Sequence, residues 1–149
     1  MNCEPPITNQ PPYNLLDRGI EAEVLPACRE LGLSQVVFSP LAQGVLTGKY
    51  AGGATPAGSR LADAQRNRFM TGFLAPGLAA RVAAFVALAG ELGLKPAALA
   101  LAWCLAQPGV DAVVVGATRP EQVTENAKAS GLRLAPDVLA RLDALFPRG

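Results

Sequence analysis

Apolar residues return every three or four positions between Leu78 and Leu92: Leu78, Val82, Phe85, Val86, Ala89 and Leu92. That spacing predicts a helix with one face on a core, closed by Gly93. Pro96 opens a second helix, since proline suits a first helical turn. It carries Leu99, Ala100, Trp103 and Cys104 and stops at Pro108-Gly109. Ile20, Val24, Ala27, Cys28 and Leu31 also recur at helical spacing. Pro26 fits only in a first turn, so this helix is expected to start near Val24 and to end at Gly32. Val138, Leu139, Leu142 and Leu145 mark a last helix from about Pro136 to Phe146. Two short unbroken apolar runs read as buried strands: Gln35-Val36-Val37-Phe38-Ser39, ended by Pro40, and Asp111 to Gly116. A weaker strand signal lies near Ile7–Gln10. Thr118-Arg119-Pro120-Glu121 reads as a capping box, with Thr118 at the N-cap and Glu121 at N3, opening a helix to about Ser130.

Helices and strands alternate, so the class is α/β and any sheet should be parallel. Two or three strands are too few for an ordinary doubly wound sheet. The pattern is that of a piece of something larger, although 149 residues is one ordinary domain's length of chain. Residues 1–149 are therefore expected to form a single partial domain.

Composition narrows the chemistry. Half of the residues are hydrophobic, which excludes disorder. A net charge of +1 gives no electrostatic reason to expect nucleic acid or an anionic membrane as partner. No apolar run reaches the ~18 residues of a membrane span, and the N-terminus lacks signal-peptide character. Cys3, Cys28 and Cys104 form no CxxC pattern and no disulfide framework. A cytoplasmic location is expected. The chain contains no histidine, which removes Ser-His-Asp and Cys-His catalysis, HExxH zinc sites and His-ligated haem together.

The most informative junction is Val113-Val114-Val115-Gly116-Ala117-Thr118-Arg119-Pro120-Glu121. A strand ends, Gly116 permits close backbone approach, and a helix N-terminus follows with N–H groups and partial positive charge suited to a phosphate. Arg119 adds a formal charge. An unliganded βα turn has the same features. Gln122, Glu125 and Asn126 share one face of that helix, which is either a binding face or a solvated one. Phe38 closes the other strand, either in the core or stacked on a planar ligand. Lys49, Arg60, Arg66 and Arg68 surround a long polar stretch from Ala51 to Arg68, which reads as a solvated loop or an anion clamp.

Three segments carry a family resemblance. Asn9-Gln10-Pro11-Pro12-Tyr13-Asn14-Leu15-Leu16 resembles the sixth-strand region of aldo-keto reductases. Val37 to Tyr50, with Phe38-Ser39-Pro40-Leu41-Ala42-Gln43-Gly44, is similar to their seventh-strand motif, and Val115 to Asn126 to their eighth-strand cofactor motif. The branch it resembles is the bacterial one related to potassium-channel β subunits. The resemblance implies a partial (β/α)8 TIM barrel carrying strands six to eight and their helices. It implies reduction of a carbonyl with NADPH.

By the same resemblance, Gln10 bonds the nicotinamide carboxamide and Phe38 stacks on the nicotinamide ring. Ser39, Pro40, Leu41, Ala42 and Gln43 run under the pyrophosphate. Lys49 and Arg60 close over the phosphates. Gly116, Thr118 and Gln122 meet the adenosine 2′-phosphate end, with support from Arg119, and Glu125 and Asn126 hold the adenine. Loops after strands seven and eight are a common phosphate site in such barrels.

The family's catalytic Asp, Tyr, Lys and His match no residue here; Tyr13, Tyr50 and Lys49 belong to other motifs. The chain is expected to be inactive alone, with a small carbonyl substrate only in a full-length context. A non-catalytic cofactor-binding or regulatory subunit and an inactive truncated remnant are the alternatives. Exposed strand edges would favour self-association.

Overall fold

The structure, a computed structural model, describes residues 6–50 and 77–148. Three parallel strands form one sheet in the order β1-β2-β3: β1 (Thr8–Asn9), β2 (Ser34–Phe38) and β3 (Val110–Val114). Five helices accompany it among the described residues: α1 (Val24–Glu30), α2 (Leu78–Glu91), α3 (Pro96–Leu105), α4 (Pro120–Ala127) and α5 (Pro136–Leu145). The parallel α/β arrangement expected from the sequence is the one found.

Local chemistry sets the boundaries. Gly32 and Gly93 take left-handed φ of 69° and 66° just past α1 and α2. Each ends its helix in the same way. The Leu33 N–H reaches Cys28 O (2.8 Å), and the Leu94 N–H reaches Ala89 O (2.8 Å). These six-to-one bonds satisfy carbonyls that the helix leaves open, and glycine adopts the required φ without strain. Pro96 sits in the first turn of α3, as predicted. β1 is short because Pro11 and Pro12 have no N–H to continue a ladder. The chain still runs beside β2, since the Phe38 N–H donates to Pro11 O and the Tyr13 N–H to Phe38 O, both at 3.0 Å.

Register divides the sheet into two unlike faces. Val36 pairs with Ala112, Val37 with Val113, and Phe38 with Val114. Tyr13, Val37 and Val110 are buried against the helices, with Val113 packed on the same core. The opposite face carries Thr8, Ser34, Phe38 and Val114, all exposed, and Val36 and Ala112, half-buried. A bulge between Gln35 and Val36 shifts the pairing with β3. There the Asp111 carboxylate accepts the Gln35 N–H at 2.9 Å, standing in for a ladder carbonyl.

The core lies on the helical side. α3 is buried continuously from Leu99 to Cys104, as a helix enclosed all round must be. Trp103 packs on Tyr13 with ring centroids 5.2 Å apart, and Phe85 meets the Phe146 ring edge-on at 5.9 Å. Burial pushes the Cys104 thiol up to about 12. Among the described residues no single helix is long and apolar enough to cross a membrane.

Candidate functional site

Parallel strands end on the same edge of a sheet, and the candidate residues follow those ends. Gln10 comes directly after β1 and is exposed. Phe38 is the last residue of β2 and is 40% exposed, so it is not part of the buried core. Gly116 and Thr118 lie just past β3, both exposed. The pairings Pro12 with Phe38 and Phe38 with Val114 bring the three strand ends side by side. Arg60, Arg66 and Arg68 lie outside the described residues.

The segment after β2 has an unusual backbone. Ser39, Ala42 and Gln43 adopt φ of 57°, 47° and 57°, and Gly44 adopts 95°. Left-handed non-glycine residues cost about 1–3 kcal/mol each, and such strain gathers at ligand clamps. The turn is held by hydrogen bonds from Ala42 N–H to Ser39 O (3.0 Å), Gly44 N–H to Leu41 O (2.8 Å) and Gln43 Nε2 to Ser39 Oγ (3.2 Å). Pro40 and Ala42 are buried beneath it, while Leu41 and Gln43 are half-buried.

Lys49 folds back over this turn. A Cβ at position 44 would lie 2.7 Å from both Lys49 Cε and Nζ and would displace the lysine tip, and the φ of 95° there itself favours glycine. The same ammonium sits 4.9 Å from the Tyr50 ring centroid. An exposed lysine resting on a half-buried turn suits an anionic ligand.

The turn after β3 differs from its sequence reading in one respect. The capping box expected at Thr118 and Glu121 is displaced by one residue. The N-cap is Arg119, Pro120 opens α4, and the N3 residue is Gln122. Gln122 Oε1 accepts from Thr118 N–H (2.7 Å), Thr118 Oγ (3.2 Å) and Arg119 N–H (3.3 Å). Proline forces the shift, because it fits the first helical position and disfavours helical φ/ψ in the residue before it. Gln122 thus organises the helix entrance. The Arg119 side chain is exposed and forms no ion pair among the described residues.

Further along α4, Glu125 is bridged by Lys95 Nζ at 2.9 Å and Lys128 Nζ at 3.0 Å. Hydrogen bonds from these two lysines hold its carboxyl below the usual carboxylate range. Asn126, half-buried, follows it.

Behind the strand ends lies a polar network that sequence reasoning missed. Arg18 is buried, and its guanidinium contacts Glu21 (2.6 Å), Asp143 (2.7 Å) and Phe146 O (2.8 Å) while resting 5.0 Å from the Trp103 ring centroid. The Tyr13 hydroxyl donates to Glu21 Oε1 at 2.7 Å. Burial opposes the Glu21 charge, but the Arg18 and Tyr13 hydrogen bonds outweigh it and hold the carboxyl low. Burial raises the Tyr13 phenol, and Glu21 raises it further. A cavity of about 550 Å³ borders the network at Leu16, Asp17 and Pro147. There Glu21 is shared by Arg18 and Arg148, and Asp143 supplies the second carboxylate.

Asn14 links this network to the strained turn. Its Oδ1 accepts from the Leu16 and Asp17 N–H groups at 2.9 and 3.0 Å, and its Nδ2 donates to Ser39 O at 3.0 Å. Asparagine favours Asx-turns by bonding backbone two residues on, which foretells the bond from Leu16 but not the one to Ser39.

A sequence profile described as "Aldo/keto reductase family" matches residues 3–146. The chain is 41% identical over 143 residues to a "Probable voltage-gated potassium channel subunit beta" of Oryza sativa subsp. japonica, covering 94% of this chain and 44% of that protein. It is 38% identical over 139 residues to "Protein tas" of Escherichia coli strain K12, covering 93% and 39%. It is 35% identical over 128 residues to the "NADH-specific methylglyoxal reductase" of the same organism, covering 85% and 37%. The chain thus spans less than half the length of these curated relatives.

Proposed function

The chain belongs to the aldo/keto reductase family, and from that premise we propose that it supplies the nicotinamide dinucleotide-binding arc of a carbonyl reductase. The observation that carries this reading is the convergence of one edge. Exposed Phe38, exposed Gln10, the left-handed Ser39–Gly44 turn under Lys49, and the entrance of α4 all follow the ends of adjacent parallel strands. The family implies a (β/α)8 barrel. In that frame β1, β2 and β3 are strands six to eight, the single partial domain is the C-terminal arc, and the uncovered sheet face is turned to the barrel interior.

The donor set suits such a cofactor. A ring with an open face suits a planar nicotinamide, and a cation resting on glycine suits a pyrophosphate. The bound dinucleotide would supply the hydride. The protein's part is to hold the ring against Phe38, anchor the carboxamide at Gln10 and draw the phosphates to Lys49 and Arg60. Ser39 to Gln43 run beneath. Gln122 acts by shaping the α4 entrance, leaving Gly116, Thr118 and Arg119 to face an adenosine 2′-phosphate. Glu125 and Asn126 border the adenine. Arg119 is the ground for preferring NADPH, since a second phosphate is an added anion. A proton donor for the alkoxide would come from the remainder of the barrel, as would the pocket for a small carbonyl substrate.

The test is titration of NADPH and NADH into the purified chain, followed by nucleotide fluorescence. NADPH is expected to bind weakly but more tightly than NADH, and the Arg119→Ala variant to lose most of that preference. Equal affinity for both nucleotides overturns the NADPH reading, and no binding of either overturns the cofactor reading. No NADPH oxidation with an aromatic aldehyde is expected from the chain alone.

A further inference from the structure

Ser39 begins the strained turn, and something must hold its backbone where it does not go unaided. The Ser39 carbonyl is gripped by Asn14 Nδ2 at 3.0 Å, across 25 residues of chain. Asn14 is 3% exposed, so it has no surface to offer a ligand. Its Oδ1 is spent on the Leu16 and Asp17 N–H groups. The turn it caps is closed by backbone bonds from the Asn14 N–H to Asp17 O (3.1 Å) and from the Asp17 N–H to Asn14 O (3.0 Å). The next residue is Arg18, which pins the turn to Asp143 of α5. One end of the Asn14 amide is thus fixed in a rigid turn, and the other reaches the first left-handed residue.

We propose that Asn14 is a positioning residue for the dinucleotide site, setting the Ser39 carbonyl and thereby the Ser39–Gly44 turn on which Lys49 rests. The inference rests on the reading of that turn as cofactor-binding. Asn14 acts through Ser39 and does not touch the ligand. A backbone carbonyl held by a neutral amide costs no charge burial, and the grip is directional. Removing it frees a strained segment to relax towards ordinary φ values.

Asn14→Asp is the discriminating substitution. It keeps both acceptor bonds of the turn and, measured at about pH 8 so that the buried carboxyl ionises, replaces the donor with an anionic oxygen set against the Ser39 carbonyl. Two readouts on the full chain separate the possibilities: amide hydrogen exchange without ligand, and NADPH titration. Exchange is expected to quicken over residues 39–46 and to stay unchanged in α3, with NADPH affinity falling about tenfold, as loss of a buried hydrogen bond allows. Exchange in 39–46 that matches the wild type overturns the proposal, as does quickening spread evenly over the chain. If the wild type binds neither NADPH nor NADH, the functional reading fails, while the exchange comparison still decides what Asn14 does. Should Asn14→Asp not fold, Asn14→Ser replaces it. A serine can still accept from the turn N–H groups but is too short to reach Ser39.

Discussion

Val37 and Phe38 are neighbours in one strand, yet Val37 is fully buried and Phe38 is 40% exposed. They stand for the two faces of the sheet. On Val37's side the helices have closed over Tyr13, Val110 and Trp103. On Phe38's side, Thr8, Ser34 and Val114 remain exposed. Parallel sheets ordinarily have both faces covered. The covered face holds the fold together, and the uncovered one carries the candidate chemistry at its edge. Stability and function are therefore divided by side-chain parity along single strands, and substitutions at adjacent positions should behave very differently.

That division can be broken or sharpened by experiment. The largest effect is expected from alkali. Cys104 and Tyr13 both have raised folded-state values: the Cys104 contribution is present below its ordinary value of 9.0 and drains away as pH climbs to about 12, and the Tyr13 contribution begins to drain above 10.0. Urea midpoints measured across that range should fall steeply, and Cys104→Val should flatten part of the slope. Trp103→Ala is next, at about 3–5 kcal/mol for an aromatic lost from the core. Arg18→Met should cost about 3 kcal/mol, because it leaves the Glu21 and Asp143 carboxylates without their shared cation. Both are read from urea unfolding.

Val37→Ala is then expected to cost about 2 kcal/mol, whereas Phe38→Ser, one residue away, should cost about 1 kcal/mol although it removes a far larger side chain. Equal losses at these two positions would erase the distinction between the faces. The smallest effect is on assembly. We propose that the exposed face and edges support weak self-association, which sedimentation velocity would show as a concentration-dependent shift that Phe38→Ser reduces. On the acid side, the low Glu21 value means stability is held above pH 4.5 and lost as pH falls below it.

Much of the fold is legible in the chain because its signals are local. Gly32, Gly93 and Pro96 act on the backbone within a turn, and each marks its boundary where expected. The apolar runs at Gln35 and Asp111 become paired strands for the same reason. The entrance of α4 is the instructive miss. Thr118 and Glu121 satisfy the spacing of a capping box, but Pro120 imposes a stronger rule and hands the task to Gln122. The site is legible only in part. Phe38 and Thr118 stand next to strand ends, so strand order brings them to one edge, whereas Lys49 returns to it only by folding back over Gly44. Asn14 and Arg18 were not readable, because their decisive partners are remote: Ser39 lies 25 positions from Asn14, and Asp143 lies 125 from Arg18.

The Arg18 contact with Asp143 also has a timetable. A ribosome adding roughly 5–20 residues per second needs on the order of ten seconds to travel from residue 18 to residue 143. Until then the nascent chain carries a guanidinium destined for burial with Glu21 as its nearby counter-charge. The segment after β1 can therefore reach its final seat only after residue 143 has been made. The helix α5, made some 125 residues later, is what secures the segment that follows β1.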